Sequence, residues 1–200
     1  MARPREFDET AVLNIAMQCF WRDGYEATSV RDLVAKTGIT SASLYNAFGD
    51  KRALYRRTLD HYVAESIAER IALCASLPPR AAIGAFFAEI LKRSLGDPQH
   101  KGCMLVNAAL DVAPHDADFR KIVASVLVRI EAFFLANLKA GQADGTIART
   151  LPATQLAQHL LGVLMGVRVL ARVRPERALL EGVVASALAL LDGAGDGGRC

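Results

Sequence analysis

Side chains suited to binding nucleic acid are concentrated in one stretch of this 200-residue chain, residues 28–51. The candidates are Thr28, Ser29, Arg31, Thr40, Ser41, Ala42, Ser43, Tyr45, Asn46 and Lys51. An asparagine amide can pair with an adenine edge, and an alanine methyl can contact the thymine methyl group. Hydroxyl, guanidinium and ammonium groups can bind phosphate oxygens. The chemistry indicated is recognition of DNA by hydrogen bonds and charge.

Patterns for catalysis or metal binding are weak by comparison. A di-metal site in a helical bundle needs a glutamate three residues before a histidine, but Thr58 precedes His61 at that distance and Leu156 precedes His159. The four cysteines are widely separated and form no Cys-x-x-Cys pair, which disfavours a zinc site or a disulfide framework and fits a reducing cytosol. We therefore predict no enzymatic activity, no catalytic residues, no metal and no cofactor.

Two short helices should position the candidate residues. Ser29 and Asp32 have the spacing of a capping box at the start of the first helix, and Gly38 has the place of a left-handed residue at its end. Thr40 can cap a second helix, in which Leu44 and Phe48 share the buried side. The open side is then left to Ser41, Ala42, Tyr45 and Asn46. For Ser29 and Thr40, capping is an alternative to phosphate binding, and both roles can hold together.

A preceding helix completes a three-helix unit. It is predicted over residues 8–23, where Asp8 can cap it and Gly24 can end it, and its apolar stripe includes Val12, Ala16 and Cys19. Two short helices joined by a tight glycine-containing turn form a helix-turn-helix, whose second helix enters the DNA major groove.

The residues that end this unit resemble a family signature. The pattern Tyr-x-x-Phe-x-x-Lys-x-x-Leu ends the DNA-binding domain of TetR-family transcriptional regulators, and here it is formed by Tyr45, Phe48, Lys51 and Leu54. The chain departs from the family at Ala47, where many members carry histidine. The resemblance implies a repressor that binds a palindromic operator in double-stranded DNA as a homodimer and is released by a small-molecule effector. A ligand-independent DNA-binding protein remains the alternative.

The remainder of the chain is predicted to be helical. Residues 50–77 contain neither Gly nor Pro and carry apolar residues about every four positions, which predicts one long helix. Sustained alternation of period two is absent after Pro79. Further helices are predicted over residues 80–95, 103–112, 116–140, 153–172 and 176–192, with a turn over residues 141–145.

The predicted fold is therefore all-α, with an N-terminal three-helix helix-turn-helix domain and a C-terminal helical regulatory and dimerisation domain. The predicted domains are an N-terminal arm with the DNA-binding domain (1–49), a connecting helix (50–77), a ligand-binding and dimerisation domain (78–192) and a disordered tail (193–200).

The last two predicted helices carry apolar stripes that are too wide for a helix packed on one side. Such width indicates two partners, the subunit's own core and a second subunit in a four-helix bundle about a two-fold axis. The predicted dimer interface comprises Leu160, Val163, Leu164, Val167, Leu180, Val183, Val184, Ala187 and Leu188.

An effector requires a mostly apolar pocket with a few polar groups. Candidate lining residues are Phe86, Phe87, Cys103, Met104, Asn107, Phe133, Phe134, His159 and Met165, although most of these could be ordinary core. Cys103 has a second interpretation, because a helix start and the nearby Lys101 would lower its thiol pKa. A thiol-based repressor that senses oxidants or electrophiles through Cys103 is therefore an alternative function.

Charge and hydropathy restrict the remaining possibilities. The net charge is +3, and residues 1–60 carry nine basic against eight acidic side chains, so placement is more informative than total charge. Arg3 and Arg5 lie in the N-terminal arm, and Lys51 and Arg52 begin the connecting helix, where cations can meet phosphates. The longest apolar stretch, residues 160–167, is too short to span a bilayer. We expect a soluble, cytoplasmic protein with no membrane partner.

Overall fold

A computed structural model describes residues 7–192, and within that range the regular structure is entirely helical. The all-α prediction is confirmed. The predicted arm cations Arg3 and Arg5 and the predicted disordered tail lie outside the described residues. The elements are α1 (Glu9–Asp23), α2 (Val30–Thr37), α3 (Ser41–Phe48), α4 (Lys51–Tyr62), a π-helical segment (Val63–Ala68), α5 (Glu69–Ala75), α6 (Pro79–Leu95), α7 (Met104–Asp111), α8 (Ala117–Asp144), α9 (Ala153–Val173) and α10 (Arg177–Ala189).

Two predicted elements differ from the structure. The helix predicted over residues 50–77 contains the π-helical segment, and its last α-helical residue is Ala75. The turn predicted to begin at Gly141 is still helix, because α8 continues to Asp144 and the left-handed residue that ends it is Gly145, with φ of 83°. The Ile147 side chain packs against Gly141, so a residue without a side chain is needed there for close approach and not for a turn.

The first compact unit comprises residues 7–67 together with Cys103–Val123. Within it, α1 packs on α2 and α4, α3 packs on α2 and α4, and α7 contacts α4. Leu33, Leu44 and Leu54 are fully buried in its core, and the Tyr55 ring lies 5.0 Å from that of Phe20. This core fixes the three N-terminal helices relative to α4.

The second compact unit comprises Ala68–Gly102 together with residues 124–192. Its α6 packs against α5, α9 and α10, and α9 packs against α10. The core contains an aromatic cluster in which the Phe86 and Phe133 rings are 5.4 Å apart and the Phe87 and Phe134 rings stack at 5.6 Å. The domain boundaries predicted from the sequence stay a prediction.

One helix among the described residues, α9, is long and apolar enough by length and composition to cross a membrane. Only 39% of its most apolar window is buried inside the chain. Its buried side chains, among them Leu156 and Leu160, pack in the second unit.

Candidate nucleic-acid interface

Helix α2 begins with a complete capping box. The Asp32 N–H donates to the Ser29 hydroxyl at 3.1 Å, and the Ser29 N–H and hydroxyl donate to the Asp32 carboxylate at 3.0 and 2.6 Å. These hydrogen bonds lower the pKa of Asp32. At the other end Gly38 has φ of 74°, in the left-handed region that glycine adopts without strain, and its N–H donates to the Val34 carbonyl. Both predicted ends of α2 are confirmed.

Helix α3 presents one polar face. The Thr40 hydroxyl caps it by accepting from the Ser43 N–H at 3.1 Å. Leu44 and Phe48 are 0% and 4% exposed and anchor the helix in the core. The side chains left open to solvent are those of Ser41, Ala42, Tyr45 and Asn46. The predicted division of α3 into a buried and an open side is confirmed.

Arg57 of α4 holds the C-terminal end of α3. Its guanidinium lies 4.7 Å from the centre of the Phe48 ring, Nη1 donates to the Ala47 carbonyl at 3.3 Å, and Nη2 pairs with the Glu9 carboxylate at 3.2 Å. The sequence analysis missed this contact because Glu9 lies 48 positions from Arg57 and no local spacing signals the pair. Arg57 thus joins α1, α3 and α4 behind the open face.

Lys51 lies in the first turn of α4, three residues after the end of α3. Its ammonium group is 4.4 Å from the centre of the Tyr25 ring and donates to the Glu26 carbonyl at 3.4 Å. Asp50 caps the helix by accepting from the Ala53 N–H at 2.7 Å. A helix N-terminus and a fixed ammonium group together attract an anion such as phosphate.

Two predicted phosphate ligands are engaged elsewhere. The Thr28 side chain is buried, and its hydroxyl donates to the Gly24 carbonyl at 2.7 Å, which argues against a phosphate contact by that hydroxyl. The Arg52 guanidinium is bound to the carboxylates of Asp116 and Asp118. Ser29, Arg31 and Thr40 remain exposed and Ser43 is half-buried, so these residues stay candidates.

The predicted effector residues divide between the two units. Cys103, Met104 and Asn107 belong to the first unit, and the other six belong to the second. The four phenylalanines form the aromatic cluster, whereas His159 is exposed and lines an open groove between α9 and α10. Cys103 is 6% exposed and accepts a hydrogen bond from the Tyr62 hydroxyl at 3.4 Å. Among residues 7–192, no group of acidic, histidine or cysteine side chains is arranged to hold a metal ion.

The predicted dimer residues also fall into two groups. Those already buried within the chain are Leu160, Leu164, Val167, Leu180, Val184 and Ala187. Val163, Val183 and Leu188 are only partly covered. Val163 and Val183 line the groove between α9 and α10, together with Leu179 and Leu190. Six of the nine residues therefore stabilise the chain itself, and the partly covered ones remain available to a partner.

Comparison with known proteins gives two family matches that together cover most of the chain. Residues 12–58 match the family described as "Bacterial regulatory proteins, tetR family", and residues 79–187 match "Tetracyclin repressor-like, C-terminal domain". The chain is 33% identical over 181 residues to the HTH-type transcriptional repressor ComR of Escherichia coli, covering 90% of this chain and 85% of ComR. It is 29% identical to the uncharacterised HTH-type transcriptional regulator YezE of Bacillus subtilis, over 96% of this chain and 100% of YezE.

A solved structure is similar over nearly the full length. It is a cysteine-substituted form of the TetR family transcriptional regulator CifR in complex with a 26-base-pair double-stranded operator DNA. The TM-score is 0.84 at 32% identity, and the similarity covers 95% of this chain and 100% of the CifR chain.

Proposed function

Because the chain belongs to the TetR family of DNA-binding transcriptional repressors, and is therefore a regulator rather than an enzyme, we propose that it binds a palindromic operator as a homodimer and is released by a small-molecule inducer. The observation that carries the proposal is the open face of α3, where Tyr45 is 47% exposed while Leu44 is fully buried. A helix held firmly on one side and polar on the other can enter the major groove without rearrangement. Its place of action is the cytoplasm, where the operator is found.

In this proposal α3 reads bases and the helix ends bind phosphates. The Asn46 amide pairs with an adenine edge and the Ala42 methyl contacts thymine. Lys51 binds the DNA backbone, as do the Ser29, Thr40, Ser43 and Tyr45 hydroxyls, and Arg31 contacts either a base or a phosphate. The similarity to CifR, whose structure is a complex with operator DNA, supports binding of operator DNA by this chain.

The proposed dimer forms through the exposed faces of α9 and α10. The groove between these helices is open, has a volume of about 640 Å³ and is lined mainly by apolar side chains, including Val163, Leu179 and Val183. In a dimer with two-fold symmetry, this surface of one copy would pack against the same surface of the second copy. The two α3 helices must then be spaced by one DNA turn, about 34 Å.

Release by an inducer requires a ligand that binds one dimer geometry better than the other. The proposed binding site for an apolar ligand lies in the second unit, at the aromatic cluster of Phe86, Phe87, Phe133 and Phe134. Occupancy would favour a geometry in which the α3 helices no longer match one DNA turn.

A thiol-based repressor is the second candidate. The observation that favours it is the hydrogen bond that the Tyr62 hydroxyl donates to the Cys103 sulfur at 3.4 Å, at the residue that precedes α7. In this proposal iodoacetamide labels Cys103 before the other cysteines and weakens operator binding. Absence of labelling at neutral pH removes this candidate.

Selection of bound sequences from random duplex DNA tests the main proposal. A palindromic product is expected, because two identical α3 helices read the two halves of the site. A protein that is monomeric at working concentrations, or that enriches no sequence over bulk competitor, would contradict the proposal. A thermal-shift screen of small molecules, followed by operator release, then separates an inducible repressor from a ligand-independent DNA-binding protein.

A further inference from the structure

A lysine of the first unit is held by groups that carry no net charge. The Lys51 ammonium nitrogen lies 4.4 Å from the centre of the Tyr25 ring and donates to the Glu26 carbonyl at 3.4 Å. Both partners lie in the segment between α1 and α2. Among the residues that the structure describes, no carboxylate forms an ion pair with Lys51.

The next residue in the chain has the opposite arrangement. The Arg52 guanidinium is bound to the carboxylates of Asp116 and Asp118, which offset its positive charge. An aromatic face and a carbonyl oxygen attract a cation through partial negative charge, so they fix its position without neutralising it. An ammonium group has three N–H donors, and the Glu26 carbonyl takes only one of them. Lys51 is therefore held in place while its charge stays available to a phosphate.

The Tyr25 ring is itself fixed by its neighbours. Its centre lies 4.9 Å from that of the Tyr55 ring of α4 and 6.2 Å from that of the Phe20 ring of α1. Tyr55 and Phe20 are both buried in the core of the first unit. A ring packed against two buried rings has little freedom to turn, so the face that meets Lys51 keeps its orientation.

We propose that Tyr25 is a positioning residue for DNA binding, whose ring face holds the Lys51 ammonium group where it meets a phosphate of the operator. A lysine side chain that is free in solution loses rotamer freedom when an interface immobilises it. The Lys51 side chain is ordered before DNA arrives, so binding has less of it to order. The inference rests on the proposed function, in which Lys51 contacts the DNA backbone.

Two replacements of similar shape at position 25 test the inference. Tyr25→Phe removes only the hydroxyl and keeps the negative ring face, whereas pentafluorophenylalanine at the same position keeps the ring but reverses the charge of its face. By fluorescence anisotropy, Tyr25→Phe should bind the operator as the wild type does. The fluorinated variant should bind about two- to fivefold more weakly, the factor that corresponds to one exposed cation–π contact. Equal affinity of the two variants overturns the inference.

The same two variants in a Lys51→Met background separate the cation contact from packing. Fluorination also changes how the ring meets Tyr55 and Phe20, and that effect persists without the lysine. The difference in operator affinity between the two variants should disappear in Lys51→Met, because the cation is gone. A difference of the same size in both backgrounds would assign Tyr25 a packing role and overturn the inference.

A measurement without DNA guards against misfolding of the fluorinated variant. Protons above an aromatic face are shifted upfield in the NMR spectrum, so the Lys51 methylene protons beside the ammonium group should be shifted in the free wild type and in Tyr25→Phe. Unshifted signals overturn the inference. Operator binding by the wild type with no loss of affinity in Lys51→Met also overturns it and leaves the DNA-binding proposal standing, whereas a wild type that prefers no sequence contradicts both.

Discussion

Arg52 donates two hydrogen bonds to the Asp116 carboxylate, from Nε at 2.7 Å and from Nη2 at 3.0 Å. Nη2 also donates to Asp118 at 2.8 Å, and the guanidinium lies 5.4 Å from the centre of the Phe119 ring. A bidentate pair fixes the orientation of both planar groups. Within the first unit, Arg52 therefore ties the first turn of α4, where Lys51 lies, to the segment that begins α8.

Substitution of Arg52 should weaken operator binding without changing its salt dependence. Arg52→Met removes the contact that positions the start of α4, so the affinity is expected to fall roughly tenfold. A positioning residue neutralises no phosphate, so the slope of log affinity against log salt concentration should equal that of the wild type. Lys51→Met should lower that slope by about 0.9, the value for one lost phosphate contact. The affinities are measured by fluorescence anisotropy at several salt concentrations.

Arg56→Met is the matched control, because Arg56 is an exposed residue of the same helix. It should retain nearly wild-type affinity and salt slope. A slope for Arg52→Met that falls as it does for Lys51→Met would show a direct phosphate contact and contradict the positioning role.

Asp116 should make stability depend on pH in the acidic range. The Arg52 hydrogen bonds, together with those from the Phe119 and Asp118 N–H groups, lower the pKa of Asp116 to about 2 from its ordinary 3.8. Its ionised form is favoured in the folded chain, so its contribution to stability is complete above pH 3.8 and is lost as the pH falls through about 2. The difference in unfolding free energy between wild type and Asp116→Asn should shrink over this range, as measured by urea denaturation.

Arg52→Met should show the same loss of pH dependence as Asp116→Asn, because the pair is broken from either side. A difference in unfolding free energy between wild type and Asp116→Asn that stays constant from about pH 6 to pH 2 would contradict this prediction. It would show that the partners of Asp116 do not stabilise its ionised form.

The local parts of the DNA-binding unit could be predicted from sequence. The capping box of Ser29 and Asp32 depends on residues three positions apart, and the two sides of α3 follow from the spacing of Leu44 and Phe48. Each of these signals is contained within one helical turn, where the backbone geometry is already known.

The long-range parts could not be predicted. Asp116 lies 64 positions from Arg52, and either residue alone has the pattern of an ordinary solvated charge. Thr28 carries a hydroxyl that could bind phosphate, but in the structure that hydroxyl donates a hydrogen bond to the Gly24 carbonyl. Such contacts depend on how helices pack, which neither composition nor periodicity specifies.

Asn46→Ala should relax sequence preference at one base pair in each half-site. In the proposed interface the Asn46 amide makes two hydrogen bonds to a base, so its loss should cost roughly 1–3 kcal/mol for the preferred base. Ser43→Ala provides the contrast, because loss of a phosphate contact weakens binding to all sequences alike. Binding to a library of single-base operator variants measures both effects. An unchanged preference in Asn46→Ala would place base recognition on other side chains of α3.

Val183→Arg should convert the proposed dimer to a monomer. Val183 is only partly covered and lines the groove between α9 and α10, so a charge there would be buried without a partner on dimerisation. Loss of the dimer should also lower the affinity for the operator, because in the proposed complex each monomer contacts only one half-site. Val128→Arg is the control, since Val128 of α8 is 62% exposed. Sedimentation equilibrium measures the association, and a Val183→Arg dimer as stable as wild type would place the interface elsewhere.

Gly141→Ala should destabilise the chain, whereas Gly84→Ala should not. A Cβ at position 141 would lie 2.5 Å from Cδ1 and 2.6 Å from Cγ1 of Ile147, which is 1% exposed and has little room to move. Overpacking of this kind costs about 1–3 kcal/mol. At position 84 in α6 the nearest atom is 3.7 Å away, at the end of the Arg80 side chain, so loss of a helical glycine should stabilise by about 0.5–1 kcal/mol.

Ile147→Ala distinguishes this collision from a general intolerance of side chains near the end of α8. Alanine lacks both Cδ1 and Cγ1, the two atoms nearest to the added methyl group, so Gly141→Ala should cost less in the Ile147→Ala background than in the wild type. Urea denaturation of the four proteins gives the coupling energy between the two positions. Equal costs in both backgrounds would mean that the two side chains do not meet, and that Gly141→Ala destabilises the chain for a reason unrelated to Ile147.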